Sequence, residues 1–174
     1  MIQDAQDIAK TTLAACASFS SLVDDYLEAG QTAADRIYHD SFPQPLSGRP
    51  EHSRAEYTAL RPCAIIYTED TQGFDVRRDA MGDQNCWTAS GVIHMMIFRN
   101  VPEADKNNPS KVDTDFRTII GNIVNDLIGL SETGGYLSIR RFTISGPART
   151  PVNELSDVGD AQMAEILAYW GVGD

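Results

Sequence analysis

Apolar residues recur at three- and four-residue steps between Asp113 and Leu130. Phe116, Ile119, Ile120, Ile123, Leu127 and Leu130 form one stripe, and Val124 and Ile128 widen it. That period predicts an α-helix over 113–130, lying on a broad surface rather than in a narrow coiled-coil seam. Asp113 suits its N-cap, Asp115 places negative charge in its first turn, and Gly134 or Gly135 suits its end. On either side the pattern shortens. Val92 to Phe98 and Leu137 to Ile144 read as strands, so the helix is expected to cover a sheet that they help to build.

Helical spacing also links Ile2, Ala5, Ala9, Leu13, Cys16, Phe19, Leu22 and Val23. Ser18, Ser20 and Ser21 favour a break, which predicts a first helix over about 3–16 and a short second one. Thr32-Ala-Ala-Asp35 resembles a capping box and opens a short helix through Ile37 and Tyr38. Residues 41–62 carry Pro43, Pro45, Gly48, Pro50 and Pro62 and read as a long loop, with partner contact and plain linker as its two readings. Cys63 to Thr68 reads as a buried strand and Phe74 to Arg78 as a short one. Met81 to Asn85 is turn material, and Trp87 to Arg99 is the longest strand. Both faces of that strand become apolar towards its C-terminal end, so cover is expected there on both sides. Met163 to Trp170 is a last strand or, failing that, a helix. The expected fold is α+β: a mostly antiparallel sheet of four or five strands, packed on one face by the 113–130 helix, with N-terminal helices at its edge. Residues 1–174 make one domain, divided into N-terminal helices (1–40), a long loop (41–62) and a sheet-plus-helix core (63–171).

Charge changes this picture. Twenty-five acidic residues against 14 basic ones give a net charge of −11. Gripping a nucleic-acid backbone takes clustered Lys and Arg, so that function is disfavoured, whereas a surface that lets DNA slide past remains compatible with the charge. Cys16, Cys63 and Cys86 show no C-x-x-C spacing and imply no disulfide framework, which favours a reducing compartment. No run is long and apolar enough for a membrane span, and the polar N-terminus is unlike a secretory signal.

No phosphate-binding, dinucleotide, nucleophile-elbow or zinc-protease motif is present in the sequence. Cys63, Cys86 and His94 lie on neighbouring strands and define the one rival reading, a small Cys/His-dependent enzyme or metal protein, although their spacing is not that of a ligand set. Packed core residues are the plainer alternative. No cofactor, metal ligand or catalytic residue is assigned. The arginine pairs Arg77-Arg78 and Arg140-Arg141, with Phe74, are the candidate interface residues. A local basic excess on an acidic protein suits salt-bridged contact with another protein. Alternation along the strand puts Leu137, Ile139 and Arg141 on one face, which places Arg141 at the rim of the sheet interior and Arg140 outward.

The order of pieces carries a resemblance. Ala33-Ala-Asp-Arg-Ile-Tyr-His-Asp-Ser-Phe-Pro43 follows the N-terminal helices and leads to the strand opened by Arg61-Pro-Cys-Ala-Ile-Ile. A long strand ending Ile97-Phe-Arg-Asn, the helix Phe116 to Ser131, a strand ending Ile144-Ser-Gly-Pro-Ala-Arg-Thr150, and Ala164-Glu-Ile-Leu-Ala-Tyr-Trp-Gly171 complete it. Over nearly its whole length this layout resembles the tail terminator (minor tail, tail-completion) proteins of long-tailed bacteriophages and phage-like particles. The chain departs from that family in its long 41–62 segment and its extended 73–85 hairpin. The resemblance implies a non-enzymatic virion protein, assembled in the host cytoplasm. It would form a homo-oligomeric, hexameric ring on the tail tube, end tube polymerisation, and meet both the tube protein and the head-side connector or stopper. DNA would pass through the ring without specific binding. A head–tail connector and a tail-tube subunit are the alternatives within the same setting.

Overall fold

A computed structural model describes residues 2–45, 52–68, 75–81, 84–134, 137–145 and 161–173. Within these, residues 2–4, 54, 75–81, 84–90, 131–134, 137–145 and 170–173 are described by their backbone alone. The elements in order are helices α1 (Ile2–Ala15) and α2 (Ala17–Val23), strand β1 (Ile37–His39), helix α3 (Arg54–Leu60), strands β2 (Cys63–Thr68), β3 (Asp75–Met81) and β4 (Gln84–Asn100), helix α4 (Pro109–Gly134), and strands β5 (Leu137–Ser145) and β6 (Ala161–Gly173). The fold is α+β.

One six-stranded sheet runs β1-β2-β4-β6-β5, with β3 beside β4 in line with β2. Among the described strands all pairs are antiparallel except β1 with β2. Alternation along the strands sorts residues into two rows. Ala64 and Ile66 of β2, Ile93, Met95 and Ile97 of β4, and Ala164, Ile166 and Ala168 of β6 are buried and join one core with α1, α2 and α4. The helices supply Ala5, Ala9, Leu13, Phe19, Phe116, Ile120, Ile123, Val124 and Leu127 to that core. Three helices therefore share the covered face, with α1 and α2 in the core rather than at the sheet's edge.

The central helix begins four residues before the expected Asp113. Asn108 caps it, with its Oδ1 accepting from the Lys111 N–H at 3.2 Å, and Pro109 takes the first helical position, where a missing N–H costs nothing. Its end at Gly134 agrees with the sequence pattern. Rotation about the helix axis refines the stripe: Ile123 and Leu127 are fully buried, Ile119 is only partly so, and Ile128 is 42% exposed.

An arginine fastens the start of α4 to the sheet. Arg99, 7% exposed, donates from Nε to Gln162 Oε1 at 2.7 Å and from Nη2 to the Val112 carbonyl at 2.9 Å. Its guanidinium lies 4.9 Å from the centroid of the Phe116 ring. Gln162 Nε2 reaches the same carbonyl and Asp113 Oδ1, each at 3.3 Å.

The N-terminal break falls at Cys16, whose backbone turns extended. The new helix is capped from a distance, with Asp126 Oδ2 on α4 accepting from the Ser18 N–H at 2.8 Å. Thr32 and Asp35 do form a box, the carboxylate accepting from Thr32 N at 2.7 Å and Thr32 Oγ1 at 3.0 Å. The turn it opens is a 3-10 helix of four residues, Ala33–Arg36, and not a helix through Tyr38. Ile37 and Tyr38 instead pair in parallel with Ala64 and Ile65, where β-branched and aromatic residues pack well. The expected loop at 41–62 contains α3. It is opened by a capping box in which Glu56 N donates to Ser53 Oγ at 3.3 Å and Ser53 N donates to Glu56 Oε2 at 2.6 Å. Residues 163–170 lie in a strand, which settles the choice left open for that stretch. Of the stretch expected as turn, 81–85, Met81 lies in β3 and Gln84 and Asn85 lie in β4.

Candidate subunit interface

The second face of the sheet carries the alternate row: Cys63, Ile65 and Tyr67 on β2, His94, Met96 and Phe98 on β4, and Met163, Glu165, Leu167 and Tyr169 on β6. Cover at the β2–β4 end comes from the segment before β2. Phe42 stands 5.3 Å from Phe98 and 5.4 Å from Tyr57, and Tyr57 stands 5.0 Å from His52, measured between ring centroids. Phe98 is thus covered from this side and Ile97 from the helix side, as the apolar end of β4 predicts. Further along, cover thins until Tyr169 is 51% exposed.

One polar group interrupts this apolar face. Glu165 Oε1 lies 2.7 Å from His94 Nδ1 and accepts from the Tyr67 hydroxyl at 3.3 Å, while the Tyr67 and His94 rings stack with centroids 4.5 Å apart. Sequence reading singled out His94 but paired it with Cys63 and Cys86. The registers separate those three: Cys63 stands opposite Phe98, Cys86 opposite Asp79 and His94 opposite Tyr67. His94 stands eight residues along β4 from Cys86, roughly 26 Å of extended chain, so they do not converge on one ion or one nucleophile. Among the described residues, no group of three or more His, Cys, Asp or Glu side chains is placed to hold a metal. Burial pushes the Cys63 thiol up to about 12, with Arg61 and Arg36 opposing it, which leaves an inert core thiol. Glu165 was the missed partner. Its signal was a lone carboxylate alternating with Met163 and Leu167 in an otherwise apolar strand row.

The candidate interface residues fall at two separate places. Phe74 lies outside the described residues. Arg77 and Arg78 stand on β3 opposite Thr88 and Trp87 of β4. Arg140 and Arg141 stand on β5, across β4 and β6 from β3, so one chain does not bring the two pairs together. A bulge between Ile139 and Arg141 also changes the expected phase. Ile139 is in register with Ala168 of the core row, but Arg141 and Thr143 are in register with Leu167 and Glu165 of the second row. Leu137, Ile139 and Arg141 therefore do not share one row, contrary to strict alternation.

β3 and β5 are both edges among the described strands. β3 pairs only with the Gln84–Ser90 half of β4, beyond the stretch that pairs with β2, and β5 pairs only with β6. Each edge leaves a line of backbone donors and acceptors with no strand partner among the described residues, which is a site for strand addition unless something blunts or covers it. The third edge, β1, is three residues long.

No protein-family model matches this chain, and no curated protein compared with it is significantly similar. Among the described residues, no helix is long and apolar enough to cross a membrane.

Proposed function

We propose that the protein is a structural ring subunit of the tail terminator type. It caps a phage tail tube, ends its polymerisation and joins it to the head-side connector while leaving a channel for DNA. The observation that carries this reading is a single α+β sheet with two long strand edges, β3 and β5, on opposite sides. Head-to-tail contact between unlike surfaces is what generates closed rings, and a subunit with two complementary open edges is suited to it. Support also comes from the order of helices and strands, which follows the layout on which the family resemblance rests. A net charge of −11 suits a channel that must not retain a polyanion, since Lys and Arg lining it would hold phosphates.

The test is assembly. Purified protein should form rings visible by electron microscopy. Added to polymerising tube protein of the same particle, it should stop elongation and sit at one end of each tube. Tubes that lengthen unaltered in its presence would refute the terminator role. Long tubes formed by this protein alone would move the assignment to a tube subunit.

A further inference from the structure

We infer that neighbouring copies of this chain join through an antiparallel seam between the outer edge of β3 on one copy and the post-bulge half of β5, Arg141 to Ser145, on the next. The inference rests on the ring reading above and names the contact that would close the ring.

Polarity favours the pair. β3 runs antiparallel to β4, while β5, antiparallel to β6, runs with β4. Where the sheet of one copy continues into the next, β3 and β5 therefore meet antiparallel, the pairing with the more favourable ladder.

Phase selects the register. Through the unbroken β3–β4 and β4–β6 registers, Asp75, Arg77 and Asp79 share the row of His94, and after the bulge so do Arg141, Thr143 and Ser145. A continuous sheet must keep rows together, because a one-residue slip exchanges the two faces. Keeping rows together also matches the outward-pointing backbone groups of one edge with those of the other, since both alternate with the same period of two. Only every second register survives this condition.

Charge then separates the survivors. One places Asp75 opposite Arg141 but leaves no further residue of β3 against the post-bulge half, and another places Arg77 opposite Arg141, a like-charge pair. The next places Asp79 opposite Arg141, Arg78 opposite Phe142, Arg77 opposite Thr143, Val76 opposite Ile144 and Asp75 opposite Ser145. By residue type it pairs an acidic position with a basic one, a basic position with an aromatic one and two β-branched positions with each other, with no like charges opposed. The following register puts Met81 opposite Arg141 and makes no ion pair.

β5 against β5 is disfavoured because that strand carries two arginines and no acid. β3 against β3 over its full length sets Arg77 opposite Asp79 twice, but it opposes Arg78 to its own copy and joins two copies as a closed pair that leaves both β5 edges uncovered. The unlike pair alone covers both long edges at once. In this register each copy is displaced along the strands: Arg77 stands beside Thr88, whereas Thr143, through Glu165, stands level with Met96, eight residues further along β4. That is roughly 26 Å, so the strands lie inclined to the ring axis, as strands of a closed sheet do.

Sedimentation velocity on the full chain at several concentrations reads the seam, with circular dichroism confirming that each variant is folded. Asp79→Arg opposes two arginines and Arg141→Asp opposes two carboxylates. Each should weaken assembly by at least about tenfold. The double variant, with the charges exchanged, should recover most of the loss. Orientation is read separately by mixing an Asp79→Cys chain with an Arg141→Cys chain under oxidation. The cross-link should join the unlike variants at residues 79 and 141, located by peptide mass spectrometry. Rings that form normally in both single variants, or single losses that the exchange does not repair, overturn the seam and leave the ring reading standing. Charge-dependent assembly that fails to cap tubes leaves the seam standing and overturns the terminator reading. A chain that stays monomeric at every concentration overturns both.

Discussion

Replacing Arg99 with Met, Gln162 with Leu, and both together measures the clamp between α4 and the sheet. Arg99 is 7% exposed and Gln162 1%, so neither can exchange a lost partner for bulk water. Burial pulls the Arg99 guanidinium below its ordinary value, and the carboxylates of Asp115, Asp105 and Asp113 oppose that pull. Arg99→Met removes the donors to Gln162 Oε1 and the Val112 carbonyl, although Gln162 Nε2 still reaches that carbonyl. One buried acceptor is stranded, at a cost of about 1–3 kcal/mol. Gln162→Leu strands Arg99 Nε instead, and an incompletely paired buried cation costs about 2–4 kcal/mol. The double variant removes Gln162 Oε1 and Arg99 Nε together, so neither is stranded, although the Val112 carbonyl loses both side-chain donors, and the two apolar side chains fill much of the same space. Its destabilisation should therefore fall short of the sum of the single effects by about 1–3 kcal/mol. Urea titrations of all four proteins, followed by tryptophan fluorescence, give the coupling. Additivity within about 0.5 kcal/mol would show that the two groups are not paired as described.

Other perturbations probe separate parts of the fold. Ile123→Ala should cost about 2–5 kcal/mol by chemical denaturation, because Ile123 is fully buried between helix and sheet, and a near-neutral result would remove α4 from the core. The Asp126 carboxylate is held below its ordinary value of 3.8 by hydrogen bonds from the Ser18 backbone and side chain. Its contribution is therefore present above that ordinary value and lost as pH falls through the depressed folded value. Because Asp126 is close to solvent, Asp126→Ala should cost no more than about 1 kcal/mol at neutral pH, and thermal melts of variant and parent should converge in acid. The Cys16 and Cys63 thiols are both pushed up to about 12, mainly by burial, so a thiol reagent at mildly alkaline pH should label them only as the chain unfolds. Rapid labelling of either site in the folded protein, located by mass spectrometry, would contradict that burial.

Strong periodicity made the architecture readable before the structure. The α4 stripe and the alternating rows of β4 and β6 each express one dominant force, the burial of one apolar face. The errors arose where a local signal met a tertiary one. Thr32 to Asp35 carries a genuine helix start, but Ile37 and Tyr38 are taken by pairing with β2. Asn108-Pro109 is a stronger start than Asp113, and it was masked by its polar neighbours. Ser53-x-x-Glu56 was visible as a capping box but lay inside a proline-rich stretch that suggested a loop. The candidate interface was less legible, because alternation counts residues and cannot foresee a bulge. A single extra residue near Arg140 moved Arg141 into the other row. Glu165 escaped notice because its partners, His94 and Tyr67, are distant in sequence and become neighbours only once β6 inserts beside β4.

That insertion has a consequence for the route to the folded state. β6 lies between β4 and β5, yet β3 and β4 are separated by only two residues in sequence and can pair early. β5 has no place in the sheet until β6 has docked, so the step that completes the sheet brings together segments more than sixty residues apart in sequence. Topologies dominated by such distant pairings fold slowly, and the edge of β4 awaiting β6 stays open in the meantime. During that interval β6 of another copy can occupy the vacancy, so exchanged dimers are the expected misassembly when refolding is concentrated. Lengthening the β5–β6 connection, residues 146–160, raises the entropy of closure by only about 0.6 kcal/mol per doubling. Equilibrium stability then changes little, while the slow step and its by-products bear the effect.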